Sequence, residues 1–274
     1  MLVSRSDRIT TFAVLSAVAL VTTLPILGVV MLSLHESNAQ VSGFELPDRP
    51  HFETYRQAWT TARFSTFMWN SAKISVLVVV ATVVISVLSG YAFGTMRFRG
   101  SNALFNVLLF GMIVPYEAVV VPLYHDLKWA HLVNTQWSVV LPLLGTNVAF
   151  GSYWMRAYFR TAPPSLIEAA AIDGAGSFRT LWKVLLPGGR PAVLTLTVLV
   201  FMWSWNEFLL PLIMLSSDAQ RTAPLGLPYF STRYSTDRVG LAAAAVMVAL
   251  PIVVVFVALQ RSFVRGMTAG AVKE

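Results

Sequence analysis

Six apolar runs dominate this sequence, at about residues 9–34, 70–95, 103–125, 137–158, 191–214 and 239–260. Each has the roughly 20 residues that a helix rising about 1.5 Å per residue needs to cross about 30 Å of hydrocarbon. Lipid offers the backbone no hydrogen-bond partners, so runs of this length are restricted to helices that close their bonds within each segment. The expected fold is therefore an all-α integral membrane protein, with six transmembrane helices in a single domain spanning residues 1–274. A composition of 56% hydrophobic and 12% charged residues agrees. Ala17 to Ala19 mimics a signal-peptidase site, but the first run continues well past it, which favours an uncleaved span.

Six spans put both termini on one side, and Lys and Arg choose the side. With the N-terminus inside, twelve of the twenty basic residues fall on inner segments. These are Arg5, Arg8, Arg97, Arg99, Arg156, Arg160, Arg179, Lys183, Arg190, Arg261, Arg265 and Lys273. Both termini and the loop at 161–190 are accordingly expected to be cytoplasmic. The net charge of +7 is spread between apolar runs and forms no basic stripe, so lipid is the expected partner and nucleic acid is not.

Catalytic chemistry finds no support. Cysteine is absent, which excludes disulfides, thiolate metal sites and a cysteine nucleophile while leaving the redox compartment open. His35, His51, His125 and His131 lie in or beside outer loops without metal-ligand spacing, so no metal site is expected. There is no phosphate-cradling Gly-rich loop ending in Lys and Ser or Thr. Energy for uphill transport would have to come from a partner or an ion gradient.

Two carboxylates fall inside apolar runs, Glu117 in the third and Glu207 in the fifth. An ionised group at mid-bilayer costs several kcal/mol, so such residues face a partner or a wet cavity. Both sit at similar depth in the outer half of the membrane. Asn147 lies near the midplane of the fourth run, Asn206 adjoins Glu207, and Tyr116, Trp203 and Trp205 add faces of the kind that stack on sugar rings. These seven residues are the candidates for a solute path. Interhelical hydrogen bonding and ordinary packing are the competing reading. Five of the six runs contain proline (Pro25, Pro115 with Pro122, Pro142, Pro211, Pro251), which suits kinked, cavity-lining helices. Gly90 and Gly94 in the second run form a small-xxx-small contact surface, and Ala242 to Ala245 favour close packing in the sixth.

The segment Ser165 to Pro187 is different in kind. Pro163 and Pro164 end the preceding run, Ser165 with Glu168 forms a capping-box pattern, and Leu166, Ile167, Ala170 and Ala171 share a helical face. Asp173 and Gly174 break that helix, and a second one starts at Ser177 and carries Phe178, Leu181, Trp182 and Leu185. By pattern alone, this is an amphipathic pair lying at the interface. The spacing says more. Glu168-Ala169-Ala170, then Gly174, Val184 and Leu186-Pro187 resembles the EAA loop of binding-protein-dependent ABC importer permeases, with Val184 in place of isoleucine the one departure. The wider resemblance is to maltose-type carbohydrate permease subunits, carried also by Trp205-Asn206-Glu207-Phe208 and by the tail from Gly266 to Lys273.

What that resemblance implies is a membrane permease subunit, not an enzyme, in a bacterial or archaeal plasma membrane. The loop would be a coupling helix between spans 4 and 5, seated on a cytoplasmic ATPase. Glu168 would meet a basic residue there, Ala169 and Ala170 would allow close approach, and Asp173 with Gly174 would supply the turn. Leu186 and Pro187 would complete the site. The implied partners are a second permease chain, two ATPase subunits carrying ATP and Mg, and an external substrate-binding protein that delivers a sugar. Glycerol phosphate or a glycerophosphodiester is the nearest alternative cargo. A gradient-driven secondary transporter using Glu117 or Glu207 as a proton relay is a rival of another class.

Overall fold

The computed structural model describes residues 5–37, 39, 41, 44–231 and 235–271, with side chains from Asp7 to Gln260 within those ranges. Arg233, Tyr234 and Lys273 lie outside the described residues, as do the side chains of Arg5, Arg261 and Arg265. Ten helices and a 3-10 helical segment at Ala223–Phe230 account for the regular structure of the described residues, with no strand beyond a single bridge between Ser231 and Thr236. The ten are α1 (Arg5–Ser33), α2 (Glu53–Thr61), α3 (Phe64–Thr95), α4 (Ser101–Ile113) and α5 (Tyr116–Trp129), followed by α6 (Trp137–Thr161), α7 (Pro164–Ile172), α8 (Ser177–Asn206), α9 (Leu209–Met214) and α10 (Arg238–Ala271).

Among the described residues four helices, α1, α3, α8 and α10, are long and apolar enough to cross a membrane, and α4 with α5 makes a fifth if the bent pair is one span. The fourth run, α6, has the length at 25 residues but is diluted by Asn147, Ser152 and Arg156. The third run is not one straight helix. It bends by 97° between Ile113 and Tyr116. Pro115 lacks the N–H that would continue the ladder and pushes Val114 out of the helical region, to φ −72°, ψ 117°.

The chain forms two compact units. The first, Met1–Ser65 with Gly226–Leu250, holds α1, α2 and the start of α10. The short surface helix expected around Glu53 to Trp59 is α2. Ser33 at the end of α1 shares a 2.6 Å hydrogen bond with the Tyr55 hydroxyl, and Thr54 donates to the His35 carbonyl at 2.8 Å. Phe64 is fully buried against Gly226, where a Cβ would come within 2.9 Å of its ring. Asp237 caps α10 by accepting from the Gly240 N–H at 2.9 Å. Ala242, Ala243 and Ala244 are buried, as their small size suggested.

The second unit, Thr66–Leu225 with Pro251–Glu274, contains the main core. There α3 packs against α6 through the glycine pair. A Cβ at Gly90 would sit 2.5 Å from the Met155 Cβ and 2.8 Å from the Arg156 backbone nitrogen, so only glycine lets these backbones approach so closely. Gly94 plays the same part opposite Phe159. The Arg156 guanidinium lies 3.8 Å over the Phe105 ring of α4 and donates to the Phe93 carbonyl of α3, which ties three helices to one side chain. Trp154 and Tyr158 of α6 donate to the Ala192 and Leu185 carbonyls of α8. At the other end, the Asn70 amide donates to the Ala219 and Arg221 carbonyls and its oxygen accepts from Gln136, pinning the loop after α9 onto α3 and α6.

Candidate functional site

Two breaks in helix geometry and the uninterrupted α6 build one cavity inside the second unit. Its volume is about 830 Å³. The α4–α5 corner contributes Met112, Val114, Pro115, Tyr116 and Glu117, and α6 contributes Pro142, Leu143, Thr146, Asn147 and Phe150. The end of α8 contributes Leu199, Met202, Trp203 and Asn206, and Glu207 and Leu210 close the ring. Two of the six prolines in the apolar runs thus line it, Pro115 at the bend and Pro142 in the second turn of α6.

Glu207 occupies a break. α8 stops at Asn206, Glu207 turns to φ −60°, ψ 123°, and α9 begins two residues later. Its carboxylate accepts from the Leu210 N–H at 3.0 Å, satisfying one of the donors that a helix start leaves open. The Tyr116 hydroxyl reaches both carboxylate oxygens at 3.5 Å. Glu117 stands in the first turn of α5, where the helix dipole favours a negative charge, and makes no hydrogen bond or ion pair among the described residues. Asn147 and Asn206 both line the cavity and donate to carbonyls of their own helices, Leu143 at 2.7 Å and Met202 at 2.9 Å. Phe150 meets Trp203 edge to face at 4.9 Å, and Trp203 is 44% exposed. The arrangement combines acceptors with aromatic faces, which suits a polyhydroxylated solute.

Six of the seven path candidates therefore meet around one cavity. Trp205 does not. It is 4% exposed and packs on Phe201 at 5.5 Å, away from the lining. Helical rotation explains this: two residues apart means roughly 200° around the axis, so Trp203 and Trp205 cannot share a face. Phe150 was missed, although it lies one turn from Asn147 on the same face.

The second candidate region is the elbow from Pro163 to Pro187. Pro164 occupies the first position of α7 with Pro163 before it, and no side chain caps the helix, so the Ser165–Glu168 capping box does not form. Proline tolerates that position because its missing N–H would be unpaired anyway. Gly174 takes φ +74°, and the Ala175 and Gly174 N–H groups donate to the Ala170 and Ala171 carbonyls at 2.8 and 3.0 Å, the pattern of a Schellman stop. Ala170 is 5% exposed and Ile167 packs on the core, whereas Leu166 and Ala171 face outward, so the single face expected for all four is really two. Glu168, Ala169 and Asp173 are exposed. So are Phe178 and Ile172, at 70% and 87%.

The second short helix expected at Ser177 is instead the start of α8, which runs on through Leu186 and Pro187 into the fifth apolar run. A π-helical turn at Thr180–Leu185 absorbs the junction. Pro187 falls at the beginning of the α-helical stretch that follows it, where its missing N–H does least harm. Gly189 lets the Tyr158 ring approach, since a Cβ there would lie 2.7 Å from it.

Comparison with known proteins gives these two regions a context. Residues 83–269 match the family described as binding-protein-dependent transport system inner membrane component. The arabinooligosaccharides transport system permease protein AraQ of Halalkalibacterium halodurans is 32% identical, over 93% of this chain and 93% of its own length. The trehalose transport system permease protein SugB of Mycobacterium tuberculosis is 31% identical, over 91% of this chain and 92% of its own. Among solved structures, a chain of a bacterial ABC transporter involved in the import of the acidic polysaccharide alginate superposes with a TM-score of 0.81 at 25% identity, covering 95% of this chain and 98% of that one.

Proposed function

Because the chain belongs to the binding-protein-dependent transport system inner membrane components, a family of multi-pass permease subunits and not of enzymes, we propose that it is one permease half of an ATP-driven sugar importer. The observation that carries this reading is the cavity in which Tyr116, Glu117, Asn147, Phe150, Trp203, Asn206 and Glu207 converge. Relatives named for arabinooligosaccharides and trehalose support a sugar as the cargo, in preference to glycerol phosphate or a glycerophosphodiester. A gradient-driven carrier would have no use for the Glu168–Pro187 elbow.

In this proposal six crossings are made by α1, α3, the bent α4–α5 pair, α6, α8 and α10, with both termini in the cytoplasm of a bacterial or archaeal cell and the plasma membrane as the site. A second, related permease chain supplies the other wall of the path. An external binding protein, as in the alginate transporter solved with its periplasmic protein, delivers the sugar. Two ATPase subunits bind ATP and Mg, and this chain holds neither. The elbow is the coupling helix. Its outward residues Glu168, Ala169, Ile172 and Phe178 meet the ATPase, and the exposed apolar pair supplies most of the docking affinity because a rim ion pair contributes little. Ala170 acts from inside, holding α7 on the core. Since α8 is continuous from Ser177 to Asn206, a push at the elbow is delivered about 45 Å along a single helix to the Glu207 break, at about 1.5 Å per residue. That continuity supports alternating access driven from the inner side. Affinity capture of the tagged chain from its native membrane should retain a second permease and an ATPase; recovery of the chain alone, still transporting, would refute the assembly.

A further inference from the structure

We infer that the carboxylates of Glu117 and Glu207 make the cavity a filter against anions, so that the solute it passes is a neutral or amine-bearing sugar and neither a uronate nor a phosphate ester. This deepens the sugar-path reading and rests on it. The lining holds two carboxylates and no Lys, Arg or His. Glu207 is fixed in place by the Leu210 N–H and the Tyr116 hydroxyl, while Glu117, without a hydrogen bond or ion pair among the described residues, keeps its acceptor positions open to a ligand. The walls around them are apolar (Val114, Leu143, Leu199), which weakens screening and lengthens the reach of both charges.

A sugar hydroxyl or ammonium entering this space finds acceptors for its donors. A carboxylate or phosphate would shed water beside like charges with no cation to offset the loss. The fold itself does not dictate that outcome, since the structurally similar transporter is involved in the import of an acidic polysaccharide. The charge of the lining is what differs from the requirement of such a cargo.

The test uses the purified importer with its co-purifying subunits and without binding protein, so that selection by the binding protein does not enter. Tryptophan fluorescence is titrated with neutral hexose and pentose trisaccharides, tri-glucosamine and tri-galacturonate, and W203F identifies the part of the signal that arises in the cavity. Neutral and amine trisaccharides should bind at least about tenfold more tightly than tri-galacturonate. The double variant E117Q/E207Q, in which the amide oxygen can still accept from Leu210, should bring the ratio of neutral to uronate affinity close to one. Equal binding of uronate and neutral sugar by the unaltered protein would overturn the filter, as would a ratio untouched by E117Q/E207Q. If no sugar gives a Trp203-dependent signal, the sugar-path reading of the cavity falls, and the filter with it.

Discussion

Replacing Gly174 with proline should abolish sugar uptake and retention of the ATPase while leaving the chain in the membrane at normal levels. Gly174 takes φ +74°, which a proline ring locked near −65° cannot adopt, and its N–H donates to the Ala171 carbonyl at 3.0 Å. Proline removes both features together, so the stop that turns α7 toward α8 is lost. Insertion should survive, because the position lies outside every apolar run. Gly174→Ala provides a graded control. No atom lies within 4 Å of a Cβ there, so alanine meets only the intrinsic penalty of the left-handed region, about 1–2 kcal/mol, and should reduce uptake without eliminating it. Full ATPase retention by the proline variant, measured by quantitative co-purification, would remove the elbow from the coupling role.

Two tryptophans separated by one residue should behave in opposite ways. Trp203→Ala removes an aromatic face from the cavity and the edge-to-face partner of Phe150, and uptake should fall by roughly tenfold or more, on the scale of 1–3 kcal/mol expected for losing an aromatic contact. Trp205→Phe alters a side chain buried against Phe201 and outside the lining, so uptake per molecule of protein in the membrane should stay near the unaltered value. The measurement is initial-rate uptake normalised to membrane content. A reversed order of effects would mean that the solute takes another route.

The particular residues show why some of this was legible in the sequence and some was not. Helix identity followed from run length, because lipid leaves the backbone no alternative, and Gly90 with Gly94 announced a close helix crossing that α6 fills. Gly174 announced its own turn, since a left-handed residue after an apolar helix favours glycine. The bend at Pro115 was readable as a kink but not as 97°, because the angle depends on what α5 packs against. The start of α7 was misread because two adjacent prolines outcompete a serine cap. The pattern at Ser177 predicts a short helix separate from the fifth run, yet a π-helical turn shifts the hydrogen-bond register and α8 continues past Pro187. The cavity shows the limit most clearly. Glu117, Asn147 and Glu207 lie on three separate runs, and no spacing within any one run states that the three faces converge. The Trp203–Trp205 distinction, by contrast, was available from helical rotation alone.

In the proposed assembly, work done by a nucleotide-consuming partner enters this chain at the Gly174 elbow, on the inner face of the membrane. Cysteine is absent from the sequence, so the single substitution Asp173→Cys at an exposed position gives an unambiguous reporter. With a membrane-impermeant thiol reagent, labelling should occur in inside-out vesicles and not in right-side-out ones, and the ATPase subunit should suppress it when bound. Labelling of intact right-side-out vesicles would place the elbow outside and contradict the account.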